Sequence, residues 1–163
     1  MKKIGKGTGV AAVVSALIIV ALLAGIYMYL NSGLSGFSVE SIAVGNSSTV
    51  KLGGLVYVAS TLKQQVQGFQ GVSSFGSCNW RANATSKCVG MLFAFGSEAR
   101  QCFWMHDTPM PLQQDWISAN GTVTYVYQGI PYDNTAICSN ATYVLETYPN
   151  VSITVGDTLL VLG

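Results

Sequence analysis

The chain is 163 residues long, half of its residues are hydrophobic, 9% are charged, and the formal net charge is +1. Charge this sparse and balanced offers no basic field to a polyanion, which excludes nucleic acid as a partner. The length admits one compact domain of ordinary size beside a short terminal segment and leaves no room for a second domain.

In chain order the first feature is residues 10–30, VAAVVSALIIVALLAGIYMYL, which carry no charge and follow Lys2, Lys3 and Lys6. As an α-helix this stretch reaches about 31 Å, close to the hydrocarbon thickness of a bilayer. It reads as a single transmembrane helix. The three lysines hold residues 1–9 in the cytoplasm by the positive-inside bias, so the rest of the chain is expected to be extracytoplasmic. A cleaved secretory leader fits less well: the apolar core is long and ends in Tyr27, Met28 and Tyr29, which suit the outer interfacial belt of a retained anchor. Lys6-Gly7 ahead of the apolar helix resembles a pilin cleavage point, which makes a pilin-like structural subunit an alternative. Ala16, Ala21, Ala24 and Gly25 would let another helix approach closely, as in a membrane complex.

Residues 31–38, NSGLSGFS, read as a flexible tether, and residues 31–49 as the approach to a domain over 50–163. This outer part carries 5 basic and 7 acidic residues. It also holds five acceptor triplets for N-glycosylation, at Asn46, Asn83, Asn120, Asn140 and Asn150. All four cysteines, Cys78, Cys88, Cys102 and Cys138, lie there too, an even number in a compartment where disulfides persist. Three pairings are open. Cys78 with Cys88 and Cys102 with Cys138 is favoured, because the first pair closes a short loop around the Asn83 triplet. A zinc site is disfavoured, since no close Cys pair exists and His106 is the only histidine.

Residues 50–59 alternate as a strand, with Gly53-Gly54 as a bend. Thr61 and Gln64 form a capping box that starts a short helix ending at Gly68, and Leu62 and Val66 are expected to share its buried face. Residues 89–95 and 102–105 read as two core strands. Asn120-Gly121 sits between two alternating runs and predicts a hairpin with a type I′ turn. Residues 143–146 and 159–162 are expected to be closing strands, with a turn at Gly156-Asp157 before the last. The fold class is therefore mainly β with one short helix, a small barrel or closed sheet and not a βαβ arrangement.

Gly90-Met91-Leu92-Phe93-Ala94-Phe95, Phe103-Trp104-Met105-His106-Asp107-Thr108 and Pro111-Leu112 together resemble the domain of unknown function 192 family. Gly68-Phe69-Gln70, Ile130-Pro131-Tyr132, residues 143–146 and Val155-Gly156-Asp157 extend the resemblance over about residues 50–162. It implies a compact, mostly β domain, often exported or tethered to a membrane, with no assigned biochemical role. The family usually has Asn at the position of Asp107 and Asp at that of Gln113, so a ligand site built on those positions would have altered chemistry here.

The segment from Trp104 to Pro111 concentrates an indole, two thioethers, an imidazole and a carboxylate between constrained backbone. Strand alternation would put Trp104 and His106 on one face and Phe103 and Met105 on the other. The plain reading is core packing by Phe103 and Met105 followed by a Pro-rich turn. The functional reading is a cleft for a glycan or a peptide, with Trp104 as a stacking platform and His106, Asp107, Thr108, Gln113 and Glu146 as ligand-binding candidates. Met105, His106 and Met110 form a weaker cuprous-ion alternative. A hydrolase of glycan or peptide would need two of Asp107, Asp115 and Glu146 side by side. Nothing in the residues calls for a cofactor, and binding is favoured over catalysis: a cell-surface ligand-binding or accessory module, with a protein or glycan partner and the membrane itself as the contacts expected.

Overall fold

In the computed structural model, residues 34, 36–76, 78 and 87–162 are described. The expected membrane span, the lysines before it, the pilin-type cleavage point, the small-residue helix face and the Asn83 triplet all lie outside them. Among the described residues no helix is long and apolar enough to cross a membrane. The chain divides into Met1–Ser35 and Gly36–Gly163.

The second unit is mainly β: β1 (Ser38–Gly45), β2 (Val50–Ala59), α1 (Leu62–Gln67), β3 (Cys88–Phe103), β4 (Leu112–Ile117), β5 (Val123–Gly129), β6 (Ile137–Thr147) and β7 (Thr158–Val161). All seven strands join one sheet in the order β5-β4-β6-β3-β2-β1-β7. The sheet curls into a half-barrel whose edges touch at one end. There Thr122 bridges Thr158, Val123 N–H donates to Asp157 O at 2.8 Å and Leu159 N–H donates to Gly121 O at 2.8 Å. Lys51 Nζ reinforces the seam with a 2.8 Å ion pair to Asp157 Oδ2.

Because side chains alternate across a strand, the two faces have separate cores. The interior of the half-barrel holds Ile42, Val44, Val56, Leu92, Ile117, Val123, Leu145, Ile153 and Leu159. One residue out of phase, Met91, Phe93, Val144 and Trp116 are buried on the outer face, where Trp116 packs against Phe103 and Tyr125, and Phe69 and Phe75 are buried as well. Phe75 stacks between Phe69 and Tyr148, with ring centroids 4.7 and 4.0 Å away.

Several details differ from the sequence reading. Ser38–Gly45, read as part of the tether and approach, is a strand whose Ile42 and Val44 enter the interior core. The run at 89–95 and the start of the run at 102–105 belong to one 16-residue strand, which stays continuous past an irregularity between Ala94 and Ala99 in its pairing with β6 but ends at Phe103, so Trp104 and Met105 lie beyond it. β2 and β3 pair parallel, and parallel neighbours need a crossover, which α1 and the loop after it provide. The Ser118–Thr122 hairpin is not type I′: only Gly121 has positive φ, at 86°. Gly121 N–H donates to Ser118 O and Ser118 N–H to Thr122 O, both at 2.9 Å, as in a type I turn followed by a glycine bulge. The capping box at Thr61 and Gln64 is present, yet no residue of α1 is buried. Leu62 and Val66 are 77% and 65% exposed, because the face they share looks onto a cavity and not into the core.

The structure pairs Cys78 with Cys88 and Cys102 with Cys138. The second pair is formed by directly opposed residues of β3 and β6.

Candidate functional site

The outer face carries a cavity of about 400 Å³ between α1 and the C-terminal half of β3. The capping box fixes the start of α1: Gln64 N–H donates to Thr61 Oγ1 at 3.3 Å, and Thr61 N–H donates to Gln64 Oε1 at 3.1 Å. Gln65 Nε2 ties the helix to the sheet by donating to Ala94 O at 2.8 Å. At the end of the helix Gly68 has φ 44°, a left-handed conformation that favours glycine, with Phe93 beside it. Leu62 and Val66 thus form one lip of the cavity.

β3 supplies the opposite wall. Phe103 stands edge-on to Phe93 and Phe95, with interplanar angles of 90° and 85° and centroids 4.8 and 6.3 Å away. Trp104 follows, half exposed, and its indole lies 5.0 Å from the His106 ring. The imidazole is held from both sides: Nδ1 lies 2.7 Å from Asn134 Oδ1, and Nε2 lies 3.3 Å from Asp107 Oδ2. The strand ends at Phe103 and the chain turns, with Thr108 N–H donating to Met105 O at 3.1 Å. Asp107 takes φ 49° in that turn, and its carbonyl accepts from Gly71 N–H at 2.7 Å. Asn and Asp are the side-chain-bearing residues that tolerate this left-handed conformation best. The Asn-or-Asp choice at this position therefore answers to the backbone, and the Asp107 carboxylate itself is exposed to solvent.

Glu146 forms the floor. It is 4% exposed, and its Oε1 accepts from the buried Gln114 Nε2 at 2.8 Å. Burial pushes its carboxyl up to about 7, against the opposing pull of the Gln114 hydrogen bond. Its backbone is approached so closely by Gly90 that any Cβ at Gly90 would collide with the Glu146 carbonyl, which accounts for a glycine opening the Gly90-Met91-Leu92 segment.

Of the six ligand-binding candidates, Trp104, His106, Thr108 and Glu146 line this cavity. Asp107 and Gln113 do not. Gln113 lies one residue out of phase with Gln114, inside the half-barrel, where its Nε2 donates to Asp115 Oδ1 at 2.9 Å and its Oε1 accepts from Gln128 Nε2 at 2.8 Å. The three carboxylates considered for hydrolysis are likewise dispersed. Asp107 is at the surface, Glu146 is on the outer face, and Asp115 is inside the half-barrel as the strand partner of Leu145. The cuprous-ion set does not assemble either: Met105 and Met110 are buried, and the Met105 sulfur takes a 3.7 Å contact from the Gln114 amide while His106 faces outward. Among the described residues no group of three or more His, Cys, Asp and Glu side chains is placed to hold a metal ion.

The residues missed by sequence reasoning are those of the helix lip, Leu62, Val66 and Gln65, and the orthogonal phenylalanines Phe93, Phe95 and Phe103. Their periodicity is that of core residues, and among the described residues no element fills the space they border.

Two solved structures share the fold. A candidate transcription regulator from Sinorhizobium meliloti 1021 matches at 25% identity and TM-score 0.61, over 77% of this chain and 95% of that one. A protein of unknown function from Novosphingobium aromaticivorans DSM 12444 matches at 21% identity and TM-score 0.63, over 77% of this chain and 87% of that one. No curated protein matches the chain. The family profile of DUF192, described as an uncharacterized ACR, matches residues 46–160, from just before β2 into β7. The chain belongs to the DUF192 family.

Proposed function

We propose that this protein is a single-pass, membrane-anchored module whose extracytoplasmic β domain binds a small ligand or an extended segment of a partner in the cavity between α1 and β3. The observation that carries the reading is the apolar lip left exposed among the described residues. Leu62, Val66 and Trp104 are all at least half exposed around a cavity of about 400 Å³, within the size range of small-molecule sites. Exposed apolar groups gathered at a concave surface, with a few polar groups at its base, are the arrangement in which binding recovers the cost of exposure.

The uncharged residues 10–30 behind three lysines support the anchor and its orientation. Two disulfides support an oxidising compartment. The sequon asparagines Asn46, Asn120, Asn140 and Asn150 are all exposed, as glycan acceptors must be.

Two experiments test this. Protease added to intact cells should remove a C-terminal tag, and survival of the tag until cells are opened would reverse the topology. Glycan and peptide arrays probed with the full chain should retain it through Trp104, and retention unchanged by Trp104→Ala would remove the cavity from the reading.

A further inference from the structure

We infer that the cavity takes the protonated amine end of its ligand, a primary ammonium group on an apolar or aromatic stem, seated against Glu146 and the phenylalanine walls. The inference rests on the cavity being a binding site and adds the chemical class of what enters it.

The first observation is Glu146. Its Oε1 accepts from Gln114, its other carboxyl oxygen has no hydrogen-bond partner among the described residues, and the residue borders the cavity although it is 4% exposed. The described lining contains no lysine or arginine to neutralise it. A buried acid without a counter-charge is costly, and a cation delivered by the ligand offsets that cost. The raised carboxyl of Glu146 is in the direction expected of an acid in that situation.

The second is the state of the glutamines beside it. Gln65 Nε2 already donates to Ala94 O and Gln67 Nε2 to Gln70 O, at 2.8 and 3.2 Å, while their side-chain carbonyl oxygens accept nothing among the described residues. On these two side chains the uncommitted polar atoms are thus acceptors. A sugar hydroxyl brings acceptors as well as donors, whereas an ammonium group brings three donors and no acceptor.

The third is the wall. Phe103 lies at 90° to Phe93 and 85° to Phe95, so the rings meet as a corner and present faces in more than one direction. Ring faces attract cations, and sets of rings surrounding an ammonium are the recurrent solution for binding one.

The test titrates benzylammonium, benzyl alcohol and benzoate into the full chain in nanodiscs, with protein-free nanodiscs as the blank. Benzylammonium should bind about tenfold more tightly than benzyl alcohol, and benzoate most weakly. Glu146→Gln, which keeps the acceptor for Gln114, should erase the preference of benzylammonium over benzyl alcohol. Equal binding of the amine and the alcohol by the wild-type chain, or a preference that survives Glu146→Gln, would overturn the ammonium assignment while leaving the cavity as a site. Binding of none of the three would overturn both. The wild-type comparison decides the question even if the variant fails to fold.

Discussion

The two faces of the sheet each bury a glutamine and a carboxylate, and they use them differently. Inside the half-barrel Gln113 donates to Asp115; on the outer face, one residue out of phase along β4, Gln114 donates across to Glu146. Both acids are pushed up to about 7 by burial, with the glutamine hydrogen bond opposing the shift in each case and the charge of Asp157 adding to it at Asp115. Around Asp115 the interior core closes, the Gln113–Gln128 hydrogen bond continues the polar chain, and Oδ2 is left without a partner. Around Glu146 the packing stops, and the residue meets a cavity that opens past α1. The same pair of residue types is enclosed by the core on one face and borders a cavity on the other, and the period-2 alternation of β4 alone assigns which is which.

That contrast can be broken by substitution. Ile117→Ala, in the interior core, should lower stability by about 2–5 kcal/mol in urea unfolding, whereas Leu62→Ala on the cavity lip should stay within about 0.5 kcal/mol and weaken ligand retention instead. A large stability loss from Leu62→Ala would mean that α1 packs more tightly than its exposure indicates. Removing the β3–β6 bridge with Cys102→Ser and Cys138→Ser together should cost about 2–5 kcal/mol, since the two halves of that long strand pair are otherwise held only by hydrogen bonds and packing.

Acidity sharpens the comparison further. A carboxyl whose folded pKa is raised favours folding when protonated, so the contributions of Asp115 and Glu146 are fullest below about pH 4 and are lost as pH rises to about 7. Asp157 has the opposite sign. Burial acts to raise it, but hydrogen bonds from Lys51 and Thr154 and the Lys51 charge together hold its carboxyl below the usual range, so its contribution is present above about pH 4 and is lost as pH falls further. The urea midpoint should therefore be higher at about pH 5 than at about pH 8, and Glu146→Gln should remove part of that difference. No change in the pH 5 to pH 8 difference in Glu146→Gln would place the titration on the inner face alone. The smallest effect expected is at the turn: Asp107→Asn should be neutral, because either residue tolerates the left-handed backbone, while Asp107→Val should cost about 1–2 kcal/mol.

The elements that local chemistry specifies could be read directly. The Thr61–Gln64 capping box and the turn before Asp157 are set by the residues that form them, and β2 was bounded by its own alternation. β1 was hidden because Ile42 and Val44 alternate within a stretch otherwise made of small and polar residues, where composition points to a tether. The parallel pairing of β2 with β3 leaves no local signature, since it depends on how the crossover packs. The site was legible as a segment and not as a shape. Trp104, His106 and Thr108 followed from one stretch of sequence and Glu146 from another, but Gln113 and Asp115 differ from Gln114 and Glu146 only by strand phase and pairing register, and a single residue of register exchanges inside for outside. Leu62 and Val66 carry the spacing of a buried stripe, and nothing local reveals that their face meets a cavity.

The most direct measurement is an NMR titration of the ¹⁵N-labelled full chain with benzylammonium, following the Trp104 indole N–H and the Gln113 side-chain amide together. The account predicts that the Trp104 signal shifts in a saturable way while the Gln113 signal holds still, because one borders the cavity and the other is enclosed by the half-barrel. A saturable shift at Gln113 with Trp104 unmoved would place the site on the wrong face of the sheet, and no saturable shift at either would contradict a ligand site between α1 and β3.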